Sequence, residues 1–412
     1  MNASQTRRCA RHAGLAVLLL SALWLGLPAQ AQTLECDATG AGTEPPTDLC
    51  LTAESADTPW RYVGITNGAQ CPPSPSWTTS RLFAPSGDGV IPPGLRAFCL
   101  YEAATDVPNV EELMLRRCDA PEPPPTCLSS LDPDAAAMAL MGSDLSSVIW
   151  EPLREHFLEQ VGYVGALPTV APNTRLAVID TEPTGPGDDP QQARTSRHGF
   201  TLVSLIRDVL CDGSRACAVE VQAQLGLPLV RCPSVTGFCR NEAEGGYVGT
   251  IGDLAMAIRQ QVENWGASGV DNLIINLSVA WDPRFGGEAP ISNSRVAAQA
   301  VYRALQDARC RGAIIVAAAG NRISGPDANV GALLPAGWET EAAPDGTTCQ
   351  NLIGQMPDPV DFAGTYQPLV YAAGAVRTDG SEAETRNDGE PRLVTYGDHA
   401  VARLGGAGQP AP

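Results

Sequence analysis

Leu176-Ala177-Val178-Ile179-Asp180 is the stretch that decides the fold. Four consecutive apolar residues ending on a carboxylate leave no face for water, which is how a strand covered on both sides of a parallel sheet reads. The pattern recurs at Leu273 to Val279, at Ala313 to Ala319 and at Leu369 to Val376, and Ala218 to Gln222 adds a shorter strand. Helical periodicity fills the gaps. Gly199 to Leu210 is one helix; Asp253 can cap a second that carries Leu254, Ile258, Val262 and Trp265 on one face. Asn293 or Ser294 can cap a third, running through Val301, Ala304, Leu305 and Ala308 until Gly312 stops it. Strands alternating with helices predict an α/β fold with a mostly parallel sheet and helices on both faces.

In such sheets functional groups collect at the carboxyl ends of the strands. Asp180 ends one strand, His198 with Gly199 opens the next helix, and Asn321 follows another strand in Ala317-Ala318-Ala319-Gly320-Asn321. An Asp that orients a His, a His that takes a proton and an amide that donates to an oxyanion make up most of a serine hydrolase site. Taken with Ile275-Asn276-Leu277-Ser278 and the late Ala-Gly-Ala-Val strand, these blocks resemble the subtilisin-like serine proteases over roughly residues 170 to 400. The resemblance implies a three-layer subtilisin-like fold and serine-type endopeptidase activity on polypeptides. It also implies that Asp180 orients, that His198 is the general base and that Asn321 completes the oxyanion hole. Ser278, Val279, Ala280 and Gly320 would lie along the substrate cleft.

The family's nucleophile sits in a Gly-Thr-Ser-x-Ala stretch, and residues 1–412 contain none. The serine after the late strand, Ser381, stands in the turn-like Asp379-Gly380-Ser381-Glu382. By the family's spacing the missing segment would begin beyond Pro412. The expectation is a peptidase domain over 169–412, C-terminally incomplete and inactive in this form. The alternatives are a catalytically dead pseudoprotease and a secreted protein-binding module.

Outward from this core, the remaining sequence speaks of export. Arg7, Arg8 and Arg11, the apolar run Gly14 to Leu27 and Ala29-Gln30-Ala31 predict a signal peptide over residues 1–31. The mature protein should then be secreted or periplasmic, with no membrane segment after cleavage. Cys9 falls in the signal; Cys36, Cys50, Cys71, Cys99, Cys118 and Cys127 form one set, and Cys211, Cys217, Cys232, Cys239, Cys310 and Cys349 another. Two even sets in an exported chain predict two disulfide groups, each closed within itself. The first set lies in a Pro-rich segment, 32–130, with strands at Trp60 to Ile65 and Phe98 to Tyr101. That segment reads as a small disulfide-rich β domain, an accessory domain more than a propeptide because of its six cysteines. Helix formers from Asp132 to Val161 suggest a helical connector over 131–168.

Composition narrows the chemistry. Net charge is −19, and all 27 cations are Arg. Such a chain repels phosphate backbones, so nucleic acid is a poor partner, and the absence of Lys excludes Schiff-base and P-loop chemistry. The 412-residue chain has no C-x-x-C pair and only 4 His, which gives no zinc signature. No cofactor is assigned; calcium is left open.

Overall fold

The structure is a computed structural model that describes residues 60–85, 89–103, 109–134, 136–139, 173–181, 198–210, 219–231, 238–240, 246, 248–281, 287, 290–320, 331–354, 367–376, 381, 391–396, 403–404 and 409–410. Leu34–Pro412 forms one compact unit; Met1–Thr33, with the signal-peptide reading, lies outside the described residues.

The centre is a six-stranded sheet made of β6 (Thr174–Asp180), β7 (Val219–Leu225), β11 (Asn272–Leu277), β13 (Ile314–Ala318), β14 (Tyr371–Val376) and β15 (Leu393–Tyr396). Its order is β15-β14-β13-β11-β6-β7, and every neighbouring pair is parallel. Ala177 and Ile179 point to one face, where helices α3 (Ile251–Gly266) and α4 (Val296–Cys310) bury Leu254, Ile258, Val301 and Leu305 in the main core. Val178 points to the other, against Val203 of α2 (His198–Leu210). A strand with no polar face is therefore covered on both sides, as its sequence required. Between α3 and α4 the buried Arg259 guanidinium meets Asp307 at 2.8 Å.

The N-terminal segment folds as a four-stranded antiparallel sheet, β2-β3-β1-β4, from β1 (Trp60–Thr66), β2 (Thr78–Arg81), β3 (Phe98–Ala103) and β4 (Leu128–Pro133). One face carries Tyr62, Tyr101, Trp77 and Leu128 in a cluster of its own, with the short helix α1 (Val110–Met114) contributing Leu113. The opposite face delivers Val63, Phe98 and Leu100 into the same core as α3 and α4. The sheet thus shares its hydrophobic core with the parallel-sheet layer. Cys71–Cys99 and Cys118–Cys127 close within this segment, and Cys310–Cys349 ties α4 to α5 (Gly346–Ile353). These bridges, among the described residues, stay inside the two sets expected from sequence.

Three local expectations need correction. Residues 131–134 and 136–139 are not helical: β4 runs to Pro133, and Ala136–Ala139 form β5. Their helix-forming composition yields to pairing with strands on either side; the rest of the expected connector lies outside the described residues. Asp253 is not the cap of α3. Thr250 is, and Asp253 sits three residues in, its carboxylate accepting from the Thr250 N–H while its own N–H donates to the Thr250 hydroxyl, a capping box. Neither Asn293 nor Ser294 caps α4, whose first N–H, that of Val296, donates to Asp132 of β4 at 3.0 Å.

Candidate active site

Asp180 ends β6 at 1% exposure, where the main chain leaves the parallel sheet. Its Oδ1 accepts from the N–H of Thr181 at 2.7 Å and lies 2.8 Å from Nδ1 of His198. His198 is the first residue of α2, held in place because the Thr181 hydroxyl accepts from the Gly199 N–H at 3.2 Å. Strand end and helix start are thus pinned to each other by the residue after each catalytic candidate. An ionised carboxylate can only accept, so Nδ1 carries the hydrogen and Nε2 carries the ring's lone pair. Thr181 carried no role in the sequence; its signal was there, a hydroxyl directly after a strand-terminal Asp.

Asn321 lies outside the described residues, so only its approach is visible. Gly320 leaves β13 with φ +105°, a conformation open to glycine, and a Cβ there would stand 2.7 Å from Leu333 Cγ. Ser278 sits between β11 and β12 (Val279–Ala280), its Oγ accepting from Asn276 Nδ2 at 3.2 Å. Ser381 is exposed on a bend.

Val279 and Ala280 are fully buried, Val279 within the main core, and their main chain is paired with β5. That strand pairs antiparallel with β12 (Ala139 opposite Val279, Met138 opposite Ala280). On its other side it pairs antiparallel with β10 (Val248–Thr250), with Ala137 opposite Gly249. With β8 (Leu229–Arg231) and β9 (Phe238–Arg240) these make a second, five-stranded sheet, β12-β5-β10-β8-β9. It adjoins the Asp–His pair: the Asp180 carbonyl accepts from Gly226 and Leu227, against whose backbone Gly249 packs, and the Thr181 carbonyl accepts from Gly246. The strand that the resemblance assigns to substrate is paired with a strand of the chain itself.

Upstream of β5, a buried ionic cluster fixes its entry. Asp134 Oδ1 accepts from the Gly252 N–H in the first turn of α3 at 2.9 Å. Arg61 of β1, 6% exposed, reaches Asp253, Thr250, Glu102 and, at 3.8 Å, Asp134. Arg240 adds two bonds to Asp253, at 2.9 and 3.1 Å. Burial alone would raise the Asp253 carboxyl, but the two guanidiniums outweigh it and hold it far below the usual range. Asp134 moves the other way: burial, with Asp253 nearby, raises it despite Arg61. The cluster leaves no local signal in the sequence, because Arg61 stands 192 residues from Asp253 and Asp134 stands 118 from Gly252.

No family model and no curated protein matches the chain. Among solved structures it is similar to the epidermin leader peptide processing serine protease of Staphylococcus aureus, at TM-score 0.40 and 13% identity over 82% of this chain and 75% of that one. A lanthipeptide protease aligns at TM-score 0.33 and 13% identity, covering 64% and 70% of the two chains. MycP1, a serine protease of the type VII (ESX-1) secretion system, aligns at 0.30 and 16%, covering 65% and 71%. All are loose likenesses, and all are to proteases.

Proposed function

We propose that the protein is an exported serine-type endopeptidase of the subtilisin kind, in which Asp180 orients His198 and His198 is the general base. The observation that supports this most is the 2.8 Å contact between Asp180 Oδ1 and His198 Nδ1 at the carboxyl edge of the parallel sheet. Held by the carboxylate, the imidazole presents Nε2 to a serine hydroxyl, accepts its proton as the oxygen attacks the peptide carbonyl, and returns that proton to the leaving amine. The buried Asp180 charge stabilises the imidazolium formed between those steps. Asn321, just past Gly320, is assigned to the oxyanion, and Ser278 to Ala280 to the edge along which substrate lies. The nucleophile is the one member of the site that no stretch of residues 1–412 matches. In domain terms, 1–31 is the export signal, 32–130 the N-terminal module and 169–412 the peptidase layer.

A fluorophosphonate probe tests this on the protein as its own cell exports it. Residues 32–412 by themselves should not label, a form that carries a Gly-Thr-Ser-x-Ala segment should, and His198→Ala should lower that labelling by at least about 10⁴-fold. Labelling of residues 32–412 alone, or labelling that His198→Ala leaves intact, overturns the reading.

A further inference from the structure

We propose that the outer edge of β7 is a self-pairing surface, on which a second copy of this chain lays its own β7 antiparallel about Gln222. The inference is independent of the peptidase reading.

β7 ends the parallel sheet, with β6 on one side and no strand on the other among the described residues. The direction of its main-chain groups follows from the bond that closes it, in which the Gly226 N–H donates to the Asp180 carbonyl. Counting back by twos, Glu220, Gln222 and Gln224 also turn their N–H groups to β6, while Val219, Val221, Ala223 and Leu225 turn theirs outward. Side chains cover two of the outward carbonyls: Arg207 of α2 donates to Val221 at 3.2 Å, and Gln224 Nε2 to Leu225 at 3.3 Å. No acceptor among the described residues meets the N–H groups of Val221, Ala223 or Leu225. Such a row is a template for another strand, and proteins blunt it with proline, lysine or a bulge. The 7 residues of β7 contain none of these, and their one charge, on Glu220, is turned back to Arg175 of β6 at 2.9 Å.

The order of the residues says what fits this edge. Val-Glu-Val-Gln-Ala-Gln-Leu alternates apolar and polar in the same way from either end. Laid antiparallel on itself about Gln222, it sets Val221 opposite Ala223 and Val219 opposite Leu225, outward-facing pairs that exchange both N–H···O=C bonds. On the other face Glu220 meets Gln224, a carboxylate opposite an amide, and Gln222 meets itself. The Gln224 amide is oriented for this, since its Oε1 accepts from Gln261 of α3 at 2.8 Å and leaves Nε2 to donate. No like charges face each other along the strand, in a chain of net charge −19. Self-complementarity about one point is what a two-fold interface requires. The covering helices fit as well. Val203 of α2 packs with Val178 of β6 and with Val219 and Val221 of β7, so α2 lies over that strand pair. Each copy's α2 is then about 4.8 Å from the two-fold axis and about 9.6 Å from the other, an ordinary helix packing distance. Asp180 pairs with Leu225, so the Asp–His pairs of the two copies emerge at opposite edges of the joined sheet.

Sedimentation of the full chain tests this. The unaltered chain should pass from monomer towards dimer between about 1 and 300 µM, the range of a small interface. Ala223→Pro removes an outward donor and no bond to β6, so it should weaken dimerisation at least about tenfold with native circular dichroism. Gln222→Lys and Gln222→Glu each set like charges at the axis and should weaken it about fivefold. An equimolar mixture of those two should associate as the unaltered chain does. A chain monomeric to about 300 µM, which leaves the edge to another protein's strand, overturns the proposal. So does a dimer that Ala223→Pro leaves intact, or a mixture that shows no recovery. If the proline variant does not fold, amide exchange in the unaltered chain decides. From the lowest to the highest concentration, Val221, Ala223 and Leu225 should slow at least about fivefold, whereas Gln222 and Gln224, already bonded to β6, should not change. Rates independent of concentration overturn the proposal.

Discussion

Replacing Arg61 by Leu would remove the only side chain that touches Asp134, Asp253 and Glu102 together among the described residues. The loss is not that of a surface ion pair, which is worth about 0–1 kcal/mol. Asp134 is wholly buried and Asp253 is 4% exposed, so each would keep its desolvation cost after losing the cation. Removing one partner of a buried pair typically costs about 3–5 kcal/mol. Asp253 retains its two bonds from Arg240, and Asp134 retains the Gly252 N–H, so the lower end applies, about 3 kcal/mol. At about 2 °C per kcal/mol for a unit of this size, the midpoint of thermal unfolding should fall by about 6 °C. Urea titrations at neutral pH measure the free energy directly. Adding Asp134→Asn to Arg61→Leu should recover about 1–2 kcal/mol, because the orphaned charge disappears. A loss under about 1 kcal/mol, or no recovery in the double variant, would refute the assignment of this cluster as a buried, mutually dependent network.

The same cluster sets an acid limit. The folded pKa of Asp253 lies below its ordinary 3.8, so its contribution is complete above about pH 5 and is lost progressively as pH falls from about 4 towards that lowered value; Asp134, raised, takes up its proton above that range and adds stability as it does. Urea midpoints should therefore not fall between pH 7 and 5 but drop below about pH 4, and Asp253→Asn should flatten the drop. Gly320→Ala should cost about 1–3 kcal/mol in urea, because φ is +105° and the new Cβ would press on Leu333. Gly354→Ala, at φ +73° with open space around it, should cost about 1 kcal/mol, and equal costs would remove the packing argument.

The parallel sheet was legible because burial on both faces erases alternation. Leu176 to Ile179 and Ala313 to Ala319 can only be read as covered strands, and β6 and β13 lie there. The Asp–His pair was legible for a related reason, since each residue sits at the end of a strongly patterned element. β5 was not, because Ala-Ala-Met-Ala carries helix propensity and its strand geometry comes wholly from β10 and β12. The caps divide in the same way. Asp253 marked the start of α3 to within three residues, as a capping-box partner must. Arg295 makes no cap at all, and the acceptor for α4 is Asp132, 164 residues away and invisible to any local window.

That distance has a kinetic meaning. The first N–H groups of α3 and α4 are closed by Asp134 and Asp132, across separations of 118 and 164 residues. Contacts this remote are entropically slow to form, and folding rates fall as they come to dominate a topology. Since β4 is synthesised first, the acceptors for both helices leave the ribosome well before the donors. A chain paused before residue 251 holds β4 with neither helix to cap. Refolding from denaturant gives up that head start, and the two closures then become the slow step of assembly.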